Sequence, residues 1–190
     1  AKAAMKSGIA EKPIQNFEEY ETQLLDRMGR DEKLVRMMQN RARSNPKRVA
    51  LGNAEEYNVL KAAQILTEEG IAKPILLGEK KFIKEQMKKF GIELDVPIID
   101  PADDDQAENR AKYRETLWKK RQRNGMNEYK AKRFVRLRDY FGPLMLKHGD
   151  TDALIVGFSK NYTSVLRPIL EIIEREKGVD KIASMMMILT

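Results

Sequence analysis

Small hydroxyl residues and basic side chains crowd into one short stretch of the sequence: Gly157, Ser159, Lys160, Tyr162, Thr163, Ser164 and Arg167. They lie between an apolar run, Asp152-Ala-Leu-Ile-Val-Gly157, and a segment of helical spacing from Val165 to Glu176. The run reads as a buried strand and the segment as the helix that follows it. Such residues sit at the carboxyl end of a parallel strand, where ligands of open α/β sheets bind, and beside a helix amino terminus, whose N–H groups favour anions. The chemistry fits a phosphate or pyrophosphate. A guanidinium at Arg167 directed into the cleft adds a charge-assisted contact of about 1.5 to 3 kcal/mol. The same residues are equally compatible with a helix capped by Ser164 and an arginine on the surface.

Other chemistries have less to stand on. The sequence has no cysteine, which removes disulfides, thiolate metal sites and a cysteine nucleophile and fits a reducing compartment. Its single histidine, His148, precedes Gly149 at a helix end and reads as a partner of the last carbonyls. Asp103-Asp104-Asp105 lacks the spacing of a calcium loop and reads as a solvated turn. Neither GxGxxG nor GxxxxGK[ST] occurs; Leu51-Gly-Asn-Ala-Glu55, where such a loop would sit, has only Gly52. The chain is therefore expected to hold no NADP, ATP or metal through those devices, and no catalytic residue is assigned.

The net charge is +7, and its location matters more than its sum. Lys119, Lys120, Arg121, Arg123, Lys130, Lys132, Arg133, Arg136 and Arg138 stand against one acid, Glu128, so the rest of the chain is close to neutral. Nucleic-acid binding is one reading of that segment. At about 100° per residue, however, Lys130, Lys132, Arg133 and Arg136 share the face opposite Ala131, Phe134 and Val135, the layout of an ordinary solvated helix. No nucleic-acid partner is expected.

These groups must be positioned by regular elements. The first fifty residues read as helices, one capped by Asn16 and carrying Phe17, Tyr20, Leu24, Leu25 and Met28, another from Asp31 to the residues before Asn45-Pro46. From Lys47 the pattern becomes strands at 48–52, 74–78 and 96–99 alternating with helices at 55–69 and 80–90. This β-α-β-α-β order predicts a parallel sheet covered by helices. Helices over 107–124, 127–138 and 141–147 follow, then the strand at 152–157, the helix at 165–176 and a last apolar strand at 182–189. Trp118, Phe90 and the Met185 to Met187 run read as core or contact residues. The final strand wants neighbours beyond Thr190, so the sequence is expected to be part of a longer protein. No apolar run approaches the ~20 residues of a membrane span and no signal peptide is evident, which predicts a cytoplasmic protein without a membrane partner.

Gly149-Asp-Thr-Asp-Ala-Leu-Ile-Val-Gly157 and Leu166-Arg-Pro168, preceded by Lys120-Arg-Gln-Arg-Asn-Gly-Met126 and followed by Lys181-Ile-Ala-Ser-Met-Met-Met-Ile-Leu189, resemble the phosphate acetyltransferase (phosphate acetyl/butyryl transferase) family. More narrowly, the chain resembles the phosphotransacetylase-type domain at the carboxyl end of large bacterial NADP-dependent malic enzymes. Ala1-Lys-Ala-Ala-Met-Lys-Ser-Gly-Ile-Ala10 and Lys12-Pro-Ile14 are similar to the last helix of the malic domain. The resemblance implies a division at residue 46: residues 1–46 as the helical end of a malic domain with its joining region, and 47–190 as the first half of the family domain. It further implies a three-layer parallel-sheet α/β fold of the phosphotransacetylase and isocitrate-dehydrogenase type.

The resemblance also implies an acyl-CoA and phosphate cleft holding Arg121 and Arg167. Where the family carries adjacent small hydroxyl residues this chain has Asn161-Tyr162, and it has Ser184-Met185 in place of Ser-Gly. The family's later serine, arginine and aspartate would lie beyond Thr190. The implied role is therefore an effector-sensing, oligomerising domain that binds acetyl-CoA or a related acyl-CoA. NADP and magnesium or manganese would belong to the full-length enzyme, with the malic domain of the same polypeptide as partner. A working phosphate acetyltransferase is the alternative.

Overall fold

A computed structural model describes residues 30–159, 161–175, 178 and 179, with Met5, Gly8, Ile14, Asn16, Tyr20 and Leu24 besides. Two units divide the chain, residues 1–41 with 185–190 and residues 42–184. The strand expected at 182–189 lies outside the described residues, as does the helix from Asn16 to Met28 apart from Asn16, Tyr20 and Leu24. The helix expected from Asp31 is α1 (Arg30–Ser44). It stops before Asn45 because a residue that precedes proline avoids the helical region.

The second unit is built on four parallel strands, β1 (Lys47–Leu51), β2 (Ala72–Leu77), β3 (Ile98–Ile99) and β4 (Ala153–Ile155), in the order β3-β2-β1-β4. β1 pairs on one side with β2, Val49 opposite Pro74, and on the other with β4, Val49 opposite Ala153. Alternation along the strands separates two faces. Leu51 and Leu76 face α2 (Tyr57–Glu68) and α3 (Lys80–Phe90), where Leu60, Ala63 and Ile83 are buried. Ala50, Ile75 and Leu77 face the other side, against Tyr113 and Leu117 of α4 (Ala107–Arg121), Ala131 of α5 (Glu128–Phe134), Phe141 and Leu144 of α6 (Arg138–His148) and Ile172 of α7 (Tyr162–Ile172). The result is the expected three-layer α/β arrangement.

Pro74 stands inside β2, where a missing N–H would normally break a ladder. The donors of the same parity, Leu76 N and Gly78 N, reach β3's side at Pro97 O (2.9 Å) and Ile99 O (3.0 Å). Pro74 therefore turns its nitrogen to the side where β3 has not yet begun. β3 itself covers only two of the four residues the sequence pattern predicts.

The basic helix expected over 127–138 is instead α5, a turn at 135–137, and α6, which starts at Arg138 rather than Phe141. Burial explains the break. At about 100° per residue a continuous helix would carry Tyr140 and Leu144 to roughly 180–220° from Ala131, away from the core that all three enter. Gly142 then lets α6 lie close on the sheet: a Cβ there would stand 2.9 Å from Leu154 Cδ1 and 3.2 Å from Leu77 Cδ1. The helix expected at 165–176 begins three residues earlier and ends at Ile172.

Arg48 ties the amino end of β1 to that of β4. Its Nη2 donates to Asp152 Oδ1 at 2.9 Å and Gly149 O at 2.8 Å, its Nη1 to Asp150 O at 3.1 Å, and its backbone N–H to Asp152 Oδ2 at 2.8 Å. Those donors hold the Asp152 carboxyl down at about 2.

Phe141 is fully buried and meets Tyr113 edge-to-face at 5.0 Å, so Phe141→Ala should cost about 3–5 kcal/mol in urea unfolding, whereas Phe82→Ala on exposed α3 should stay near 0.5 kcal/mol. The pH dependence carries a second expectation. A carboxyl whose folded value lies below its ordinary 3.8 contributes stability that is fully present above that value and lost as pH falls toward 2. Asp152→Asn should lower stability at pH 7 and remove that part of the acid dependence between pH 4 and pH 2, as followed by thermal unfolding.

Candidate functional site

Strand order reverses between β1 and β4: β2 and β3 extend from one side of β1, and β4, reached only at Ala153, lies on the other. The loops that leave the carboxyl ends of β1 and β4 meet there, the usual position for a ligand in such sheets. Gly52 makes the approach possible. Its N–H donates to Ile155 O at 2.9 Å, and a Cβ on it would lie 2.6 Å from Val156 Cγ1.

Asn53 follows with φ 58°, a left-handed conformation that asparagine tolerates better than most residues. It is buried, and its side chain reads the β4 loop. Nδ2 donates to Ser159 Oγ at 2.7 Å, and Oδ1 accepts from Gly157 N at 3.4 Å. Glu55, two residues on, accepts Arg138 Nη1 at 2.6 and 2.7 Å on its two oxygens. A Cβ on Gly78, at the end of β2, would be 3.7 Å from Glu55 Oε2, so this ion pair lies over the ends of both strands.

Of the residues read from the sequence, Gly157 and Ser159 thus come together on Asn53. Lys160 lies outside the described residues. Tyr162 and Thr163 are exposed in the first turn of α7, whose amino end at Asn161 has no side-chain cap. Ser164 does not supply that cap: its hydroxyl donates back to Asn161 O at 2.7 Å.

Arg121 and Arg167 are brought together on a residue the sequence did not single out. Glu171 Oε1 accepts Arg167 Nε at 2.9 Å and has Arg121 Nη2 at 3.9 Å, and its Oε2 accepts the Tyr140 hydroxyl at 2.9 Å. Burial and that carboxylate push the Tyr140 hydroxyl up to about 12, so it stays a donor across the physiological range. The carboxylate is nearly buried and Arg167 is 78% exposed, which leaves the arginine's outer nitrogens turned to solvent. Two cations share one carboxylate, and the cluster keeps an excess positive charge that suits an anion.

Other candidates resolve differently. Asp103 and Asp105 both hold Lys80, Asp103 at 2.8 Å, so the acidic turn is an ion-paired closure of the β3 to α4 connection rather than a freely solvated one. His148 meets Thr116 Oγ1 through Nε2 at 2.9 Å and the Tyr113 ring, not the last carbonyls of its helix. Burial and nearby Lys112 lower its pKa. Among the described residues, no three His, Cys, Asp or Glu side chains gather to hold a metal, and no helix is long and apolar enough to cross a membrane.

Glu171 and Tyr140 escaped the sequence reading because a carboxylate at the fourth residue after an arginine looks like an ordinary surface pair. Asn53 carried a weak signal, an Asn after Gly at a strand end.

The phosphate acetyl/butaryl transferase family matches residues 33–190. The NADP-dependent malic enzyme of Haemophilus influenzae is 34% identical over 97% of this chain and 25% of its own length. The NAD-dependent malic enzyme of Rhizobium meliloti is 33% identical over 94% and 24%. A phosphate acetyltransferase of Acetivibrio thermocellus is 31% identical over 76% of this chain and 42% of its own. The chain thus spans about a quarter of the malic enzymes it resembles. In structure, the EutD phosphotransacetylase of Staphylococcus aureus shares the fold with a TM-score of 0.70 at 23% identity, over 80% of this chain and 45% of that one.

Asn53→Gly keeps the left-handed backbone but removes both side-chain bonds, and should cost about 1–2 kcal/mol in urea unfolding. Asn53→Ala loses the bonds and strains the backbone, and should cost about 1 kcal/mol more. Equal costs for the two variants would show that the backbone conformation is not why asparagine stands there.

Proposed function

Since the chain belongs to the phosphate acetyl/butaryl transferase family, we propose that it is the acyl-CoA-sensing, oligomerising domain of a malic enzyme. In that reading the full-length polypeptide oxidatively decarboxylates malate to pyruvate with NADP, and this domain reports acetyl-CoA or a related acyl-CoA to the distant active site. The extent of the resemblance favours the malic enzymes over the stand-alone transferases: the Haemophilus influenzae and Rhizobium meliloti malic enzymes match 97% and 94% of the chain, the Acetivibrio thermocellus transferase 76%. In the same reading NADP and the divalent metal, magnesium or manganese, belong to the malic domain of the same polypeptide, in the cytoplasm.

The observation that carries the sensing role is the convergence of Arg121 and Arg167 on Glu171. A free phosphate-binding arginine suits catalysis, where the site is preorganised. An arginine held at 2.9 Å through Nε alone suits a switch, because an anion on its outer nitrogens draws the guanidinium from Glu171 and so favours one of two arrangements of α4 and α7. Coupling of about 1–3 kcal/mol between effector and active site would suffice.

The second reading, a working phosphate acetyltransferase, draws on the 31% identity to such an enzyme. There Arg121 and Arg167 would hold phosphate and CoA, and catalysis would consist mainly of orienting the thiolate of CoA against the acetyl carbon of acetyl phosphate.

Acetyl-CoA added to the full-length protein should inhibit malate-dependent NADP reduction, and Arg167→Ala should raise the half-inhibiting concentration about tenfold or more, the size of one lost charge-assisted contact. Indifference to acetyl-CoA in both proteins removes the sensing role. Acetyl-CoA formation from acetyl phosphate and CoA, well above background and lost in the same variant, establishes the transferase instead.

A further inference from the structure

Away from the Glu171 cluster, α4 and α5 enclose a small hollow of about 170 Å³ whose walls are strongly basic. Arg110 and Arg114 line it from α4, Lys132 from α5 and Arg136 from the turn that follows, over a floor of Ala107, Ala111 and Val135. None of the described residues that line it is acidic. We propose that this hollow is a second anion site, built to take a phosphate or diphosphate group.

The four cations are not spread as on a solvated face. Arg110 and Arg114 stand at the four-residue spacing that brings like charges together on α4, an arrangement that works against the helix unless a counter-charge sits between. Lys132, on α5, and Arg136, in the turn after it, face that pair across the hollow. The carboxylates within reach compensate poorly: Glu128 is 3.7 Å from Arg114 and Asp104 is 3.9 Å from Arg110, both beyond a good hydrogen bond. Asp103 and Asp105 are already engaged by Lys80.

Arg110 supplies the preorganisation. It is one of the few buried charged residues described, and its Nη1 donates to the carbonyls of Pro101, at 3.1 Å, and Asp103. The guanidinium is thereby fixed by backbone before any ligand arrives. Val135 is buried, and Ala107 and Ala111 are small, so the floor leaves room without offering a competing polar group. Planar guanidinium groups on one wall and a lysine and a further arginine on the other give several N–H donors to tetrahedral oxygens, the geometry that phosphate recognition uses. The size admits one or two phosphate groups and excludes a whole nucleotide, whose remainder would have to lie outside. Arg114 and Arg121 are seven residues apart, about 10 Å along the axis of α4, so the hollow is separate from the pair on Glu171.

Inorganic diphosphate titrated calorimetrically into the full-length protein at about 0.15 M salt tests the site. Lys132 and Arg136 are exposed, so the double variant Lys132→Glu, Arg136→Glu should fold with an unchanged melting temperature and bind diphosphate at least tenfold more weakly. The charge-matched control Lys84→Glu, Lys88→Glu on α3 should change it less than twofold. Absence of diphosphate binding in the unaltered protein, a loss under tenfold in the hollow variant, or an equal loss in the α3 control overturns the proposal. ADP separates the sources. Tighter binding than diphosphate, still lost in the hollow variant, identifies the phosphates of a nucleotide; equal or weaker binding identifies free phosphate.

Discussion

The parallel pairing of β1 with β4 is the constraint from which the rest of the second unit follows. These strands are separated by more than a hundred residues of chain, and their junction is the point where the sheet changes direction. It is fastened at both ends by different means. Arg48 and Asp152 close the amino end with charge and backbone donors, while Gly52 and Asn53 close the carboxyl end by close approach and amide bonding. Between them the two strands hold the α6 and α7 layer over Ala50, and with it the positions of Arg138, Tyr140 and Glu171.

That layer shows how a core can decide the placement of charged groups. Because Ala131, Val135, Tyr140, Phe141 and Leu144 must all enter one apolar cluster, the chain breaks between α5 and α6. The break leaves Arg138 at the start of a helix, where it meets Glu55 over the sheet edge, and leaves Arg136 in a turn beside α4. The same apolar requirement thus distributes the basic segment between a structural ion pair, the Arg121 and Arg167 cluster and the hollow beside Arg110.

Much of this architecture is legible in the sequence. The strands around Val49, Ile75 and Leu154 are apolar runs with glycines beyond them, and the helices between them have clear periodicity, so the α/β order follows directly. The resemblance to the phosphate acetyltransferases is carried by short motifs, such as Val156-Gly157 after β4 and Leu166-Arg-Pro168 in α7. What the sequence hid was phase and partnership. The periodicity from Asn127 to Arg138 looks continuous because nothing in one segment tells that the next must bury an opposite face. Glu171 and Tyr140 are similarly invisible: their importance lies in contacts between α4, α6 and α7 that no spacing along the chain encodes. The placement of Ser159 and Gly157 on Asn53 depends on a residue 104 or more positions earlier.

Pro74 has one more effect on the sheet. Among the described residues the flank of β2 below the start of β3 is locally an edge, and an edge with regularly spaced donors is a template on which a foreign strand can grow. With no hydrogen on the Pro74 nitrogen, and a second proline at Pro97 just ahead of β3, that template is missing a rung where it would otherwise be most accessible. Both prolines therefore weaken this stretch of β2 as a template for a foreign strand.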